Sequence, residues 1–163
     1  MQLWKSMADL LVSKKLTLGK NAQVVAFNSS GVEVPVALGA VEARSAASTL
    51  SQADNGKTIL LNSTTAFATT LPSPFMGGRF KFIVTGIPGA SNHQIVAPAS
   101  NQFKGSVSSA DLANASAAAS TTAATNINLT TTAYVGDWVE VVSNGVNWLV
   151  SGSVKAQGGL TFS

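Results

Sequence analysis

Apolar and polar positions alternate with a period of two along much of this chain, and that period predicts β-strands. It is cleanest at Arg79-Phe-Lys-Phe-Ile-Val-Thr85, where Phe80, Phe82 and Val84 share one face and Arg79 and Lys81 the other. That strand is expected to have one buried and one wet face. Further strands are expected over 58–62, 66–71, 93–97, 102–105 and 126–129; Pro72-Ser-Pro74 ends the second because proline fixes φ and removes a donor. Phe75-Met-Gly-Gly78 and Gly86-Ile-Pro-Gly89 read as turns. The run from Gly136 to Gly152 reads as a hairpin, since Asn144-Gly145 is the preferred pair for a two-residue type I′ turn with φ > 0 at both positions. Such a turn sets Ser143 opposite Val146, Val141 opposite Trp148 and Val139 opposite Val150. The expected core face is therefore Val139, Val141, Val146, Trp148 and Val150.

The pattern changes before Gly56. Leu3, Met7, Leu10 and Leu11 recur at helical spacing, which predicts a short amphipathic helix over 2–12 with Lys5 and Asp9 off the apolar stripe. A helix this short needs a surface to lie on: the chain's own body, a partner subunit or, with only Lys14-Lys15 in support, a membrane. Short strands are expected at 16–18, 23–27 and 32–38, the last at an edge or in an extended arm because Pro35 cannot donate to a ladder. Residues 40–51 read as a helical turn or linker. The Ser/Ala/Thr run 106–125 reads either as a short helix or as a mobile excursion, Leu112 being its one large apolar residue. The expected layout is an arm over 1–52, a β-sandwich body over 53–154 and a flexible tail over 155–163.

Composition narrows the function classes. A chain of 163 residues holds one domain and an extension. Charged residues make up 10% against a usual share of about 25%, and Ser, Thr, Ala, Asn and Gly take their place. With a mean hydropathy of +0.27 and no run of about 18 apolar residues, no membrane span is expected, and apolar surface has to be buried internally or against neighbours. An assembly is the expected state. The net charge of +3 is scattered, so no nucleic-acid face is expected. The absence of cysteine excludes disulfides and thiolate chemistry but leaves the compartment open. Asp9 interrupts the first apolar stretch, making a poor signal peptide, and synthesis in the cytoplasm without export is expected.

Reactive chemistry is sparse. His93 is the single histidine, no G-x-S-x-G elbow accompanies it, and a strand-end role is expected rather than catalysis. Asp137 and Glu140 fall on opposite faces of a strand, Asp54-Asn-Gly56 reads as a turn rather than a calcium loop, and Gly77-Gly-Arg79 as a bend rather than a phosphate cradle. No enzyme, metal or cofactor is expected. Trp138, on the more polar hairpin face, and Tyr134 are the candidate ligand residues, while Leu3, Trp4, Met7, Leu10 and Leu11 are the candidate partner contacts.

The run Ala53-Asp-Asn-Gly-Lys-Thr-Ile-Leu-Leu-Asn62, then Thr70-Leu-Pro-Ser-Pro74, Gly78-Arg-Phe-Lys-Phe82 and Gly136-Asp-Trp-Val-Glu-Val-Val-Ser-Asn-Gly-Val-Asn-Trp148, resembles β-domains of tailed-bacteriophage virion structural proteins. Each motif is turn and core chemistry; their order and spacing over Ala53–Gly152 carry the likeness. Residues 16–41 look like the leading segment of small phage structural proteins, where an extension anchors to a neighbour. The resemblance implies an all-β, jelly-roll or related antiparallel β-sandwich with an extended N-terminal arm, frequent homotrimers and no enzymatic site. It implies a capsid decoration (cement) protein on the outer virion surface, bound to the major capsid protein. The alternative is a fibre or tail-appendage module for adhesion or host-glycan binding. The lack of a repetitive shaft favours decoration.

Overall fold

In a computed structural model of the protein, residues 40–111 and 119–163 are described in full, together with the backbone of two short strands nearer the N-terminus. The chain divides into two compact units, Met1–Val36 and Ala37–Ser163. In the first, β1 (Val25–Phe27) and β2 (Glu33–Pro35) pair antiparallel with Ala26 opposite Val34. Both lie within strands expected from the sequence. The expected helix over 2–12, and with it Leu3, Trp4, Met7, Leu10 and Leu11, falls outside the described residues.

The second unit is built from β3 (Val41–Arg44), β4 (Ser48–Thr49), β5 (Thr58–Leu61), β6 (Ala68–Thr70), β7 (Met76–Val84), β8 (His93–Val96), β9 (Phe103–Ser109), β10 (Ala119–Ala124), β11 (Asn126–Leu129), β12 (Trp138–Asn144), β13 (Trp148–Val154) and β14 (Leu160–Phe162). A seven-stranded sheet runs β10-β9-β13-β12-β7-β5-β3, and a five-stranded sheet runs β14-β11-β8-β6-β4. From β3 to β8 successive strands alternate between the sheets. Strands two apart in sequence then pair in parallel: β3 with β5 and β5 with β7 in one sheet, β4 with β6 and β6 with β8 in the other. The chain thus winds three times around a shared interior. It then doubles back, β11 pairing antiparallel with β8 and β12 antiparallel with β7.

The expected all-β sandwich is present, but its sheets are mixed, and a purely antiparallel jelly roll is not what forms. Alternation decides which face of a strand is buried, whereas the connections decide which strand lies beside it. The buried faces meet in one core that includes Ile59, Leu61, Phe80, Phe82 and Val84 from one sheet and Ile95, Ile127, Leu129 and Leu160 from the other. Trp148 lies fully buried within it, tilted against Phe80 at 5.6 Å and edge-on to Phe75 at 6.1 Å between ring centroids.

Five local expectations are corrected. In the last hairpin Ser143 pairs with Trp148 and Val141 with Val150, so the connection spans 144–147 rather than two residues. Among the described residues Asn101 is the one non-glycine with positive φ, so Asn144 does not take the backbone that a type I′ turn demands. Its side chain caps the loop instead, Oδ1 accepting from the N–H groups of Val146 at 3.0 Å and Asn147 at 2.8 Å. The register moves by two, which preserves the faces: Val139, Val141, Trp148 and Val150 are buried, while Val146 is displaced into the loop at 69% exposed. Met76–Gly78, expected in a turn, begin β7, with Gly77 at φ 77° and an irregularity in the pairing to β12. The flanks of the 106–125 run are the strands β9 and β10, paired antiparallel; residues 112–118 between them lie outside the described residues. The tail expected to be flexible contains β14, whose Leu160 is 2% exposed and which pairs with β11. Residues 40–52, assigned to the arm, supply β3 and β4, one edge strand to each sheet.

Candidate interaction surface

The two sheets differ in what they turn outward. In the seven-stranded sheet the outward positions alternate with core residues, and partner assignments align Ala43, Leu60, Ile83 and Trp138 side by side on β3, β5, β7 and β12. At strand spacing this apolar row is about 14 Å wide. Next to it run Thr58, Lys81 and Glu140, and beyond them Arg79, Val142 and Leu149, the last two 38% and 46% exposed. Met76, opposite Asn144 and 79% exposed, and Val146 extend the apolar surface around the hairpin end. Arg79 Nε pairs with Glu140 Oε1, and Lys81 Nζ stands 4.6 Å over the half-buried Trp138 ring. With Lys104 opposite Leu149, the face carries three cations against one carboxylate.

The five-stranded sheet turns outward a ladder of neutral amides and hydroxyls. Gln94 Nε2 donates to Asn128 Oδ1 at 3.1 Å and Asn128 Nδ2 to Ser163 Oγ at 3.2 Å. Thr161 is exposed and Gln94 half-buried, while Asn128, only 5% exposed, has its amide satisfied within the ladder, so the face is polar and carries no charge. The cationic, partly apolar face and the neutral polar face therefore lie on opposite sides of one core.

A second feature lies at the end of the sandwich where β12 begins. Tyr134, 42% exposed, Thr131, Thr132 and Gln157 border a depression of about 480 Å³ with Ile87 and Ala156. Lys155 Nζ sits 4.3 Å from the Tyr134 ring centroid and forms no ion pair among the described residues. Asp137 fixes the backbone of both residues of this pair. It is 4% exposed, and its two carboxylate oxygens accept from the backbone N–H of Tyr134 and of Lys155, each at 2.8 Å. Sequence spacing alone did not single out Asp137 because the partners of a carboxylate 18 residues apart are set by the β12–β13 hairpin.

His93 begins β8, as expected of a strand-end histidine, and is fully buried. Its Nδ1 accepts from Phe67 N–H at 3.3 Å, and Nε2 donates toward Ser63 O at 2.9 Å and Gly86 O at 3.2 Å, which assigns the Nε2–H tautomer. Both ring nitrogens are engaged with backbone and joined to no nucleophile. A depression of about 500 Å³ nearby, along Ala66–Ala68, Ala90–Asn92 and Gln94, is lined by uncharged side chains. Among the described residues there is no group of three or more His, Cys, Asp or Glu able to hold a metal ion. Asp54-Asn-Gly56 belongs to a turn: the Asp54 carboxylate accepts from Ser51 N–H at 2.8 Å and Oγ–H at 2.9 Å, and Gly56 has φ 81°.

Charge is concentrated at the β3 edge. Glu42 and Arg44 lie beside the buried Ile59 and Leu61, so the core ends there in ions rather than in another apolar row. Lys57 Nζ reaches Asp54 Oδ1 at 2.6 Å and Glu42 Oε2 at 3.0 Å, and Arg44 Nη2 reaches Glu42 Oε1 at 2.8 Å. Hydrogen bonds to Asp54 and then Glu42 hold the Lys57 ammonium above its ordinary value. Chiefly through the bond from Lys57, the Glu42 carboxyl is held below its own. For Asp54, burial pushes upward, but the bonds from Lys57 and Ser51 together outweigh it and leave the carboxyl low.

No protein-family model matches the chain, and searches of curated proteins and of solved structures gave no match either.

Proposed function

We propose that this chain is a virion structural protein of a tailed bacteriophage, a capsid decoration protein that lays the outward face of its seven-stranded sheet against the major capsid protein. The observation that carries the reading is the asymmetry of the two outer faces. One offers Leu60, Ile83, Trp138, Val142 and Leu149 among unbalanced cations, and the other offers neutral amides. A partner surface that is apolar and acidic complements the first face, and water suits the second. The ordered likeness of Ala53–Gly152 to phage β-domains supports the same reading. Stabilisation of a shell needs no reaction: a protein that binds only the assembled lattice stabilises it by mass action. In this reading the protein acts as a homotrimer, and the segment before residue 40 adds a second attachment through Leu3, Trp4, Met7, Leu10 and Leu11.

The test is co-sedimentation of the purified protein with phage heads, with electron microscopy to locate it. Wild type is expected to bind saturably. Leu149→Glu, on the proposed contact face, is expected to weaken binding at least about tenfold, the scale of a lost interface anchor. Thr161→Glu, on the opposite sheet, is expected to bind as wild type. Removal of residues 1–20 is expected to abolish binding while the sandwich stays folded. Equal loss from both face variants, or no binding of wild type to heads, overturns the reading.

A further inference from the structure

The geometry around Tyr134 points to a binding site for a saccharide that carries a carboxylate, such as a uronic-acid or sialic-acid residue of a glycan. The volume of about 480 Å³ accommodates one or two sugar rings. Tyr134 supplies an exposed aromatic face for the apolar C–H side of a pyranose, and its hydroxyl remains a polar tip. Beside that ring stands the Lys155 ammonium, which forms no ion pair among the described residues and is placed to meet a carboxylate. Thr131, Thr132 and Gln157 line the same depression with hydroxyl and amide groups suited to sugar hydroxyls.

The arrangement is held before any ligand arrives. Both oxygens of buried Asp137 bind the backbone N–H groups of Tyr134 and Lys155, so one carboxylate sets the spacing of the aromatic and the cation. Thr130 Oγ1 donates to Gly158 O at 2.7 Å and tethers the Thr131–Thr132 turn to the Gln157 segment. Walls fixed in this way lose little freedom on binding. The pair at Trp138 has the same two groups but stands on an open sheet face, whereas Tyr134 lines the depression and Lys155 stands over its ring at the margin. The site is independent of where on a particle the protein sits, so its failure leaves the shell-binding reading standing.

The test uses titration calorimetry on the full chain with tetragalacturonate and sialyllactose as acidic probes and a neutral galactose tetramer as control. At least one acidic probe is expected to bind, more weakly as salt rises, while the neutral tetramer does not. Lys155→Gln and Tyr134→Ala are each expected to weaken binding at least about tenfold, as for loss of a charge-assisted contact or an aromatic anchor. Tyr134→Phe keeps the ring and is expected to bind within a small factor of wild type. Lys81→Gln, at the other lysine–aromatic pair, is expected to change nothing. Unfolding curves accompany each variant, and Tyr134→Phe with Lys155→Gln decides the matter if Tyr134→Ala misfolds. The proposal is overturned if neither acidic probe binds, if the neutral tetramer binds equally well, or if Lys155→Gln binds as tightly as wild type.

Discussion

Thr69, inside β6, is fully buried, and its hydroxyl has no partner among the described residues. A buried polar group without a hydrogen bond costs about 1–3 kcal/mol, whereas an apolar group of the same shape does not. Thr69→Val is therefore expected to raise stability by about 1 kcal/mol, read as a higher urea midpoint at unchanged slope. A lower midpoint would show that the hydroxyl is satisfied in solution. His93 is the contrast, equally buried but bonded through both nitrogens. Single residues of this kind were only partly legible in the sequence. The face of each strand could be read from alternation, as for Phe80, Phe82 and Val84. The role of Asn144 could not, because an Asn-Gly pair serves a two-residue turn or a longer loop with equal local chemistry, and the choice falls to the packing of Trp148 against Phe80.

At the level of elements, the ionic end of the core makes stability depend on pH in a defined way. Glu42 and Asp54 have folded values below their ordinary 4.5 and 3.8, so their contribution is complete above those values and fades as pH falls through the lower folded ones. Lys57 lies above its ordinary 10.5, so its contribution is complete below that value and is lost as pH rises through the folded one. The cluster is fully effective from about pH 5.5 to about pH 9.5. Lys57→Met is expected to cost about 1 kcal/mol in that window, kept small because a third of the Glu42 side chain stays in water. The gap between variant and wild-type melting curves should close at both extremes, and a gap constant from pH 3 to pH 11 contradicts the assignment. Elements of low hydrophobicity were the ones the sequence hid. β10 (Ala119–Ala124) has no large apolar side chain and is ordered by pairing with β9, and β3 and β4 are too short for a period to register.

For the whole molecule, the sandwich was legible and its winding was not. Parallel and antiparallel neighbours impose the same in-out alternation when one face is buried, so nothing local in Thr58–Leu61 or Ala68–Thr70 tells which strand lies alongside. The C-terminal strand was missed for a related reason: Leu160-Thr-Phe162 has a strand's pattern but is too short to announce one, and β11 orders it. Its weight can be measured. Removing Leu160–Ser163 exposes the surface under Leu160 and strips Ser163 O from the N–H groups of Thr125 and Asn126, to which it is bonded at 2.8 Å. A loss of about 3 kcal/mol is expected from one large side chain and its hydrogen bonds, read as an earlier urea midpoint for the entire sandwich. An unchanged midpoint would place β14 outside the cooperative unit.

The winding also orders events during synthesis. β7 and β8 receive their second neighbours, β12 and β11, only from residue 126 onward, so a chain leaving the ribosome carries Phe80 and Phe82 on a strand with a free edge until β12 has been made. Free apolar edges pair with one another between chains, which makes stalled or clipped copies the aggregating ones. Strands β11 and β12 are in effect an internal chaperone: their arrival closes the open edges of β8 and β7 together.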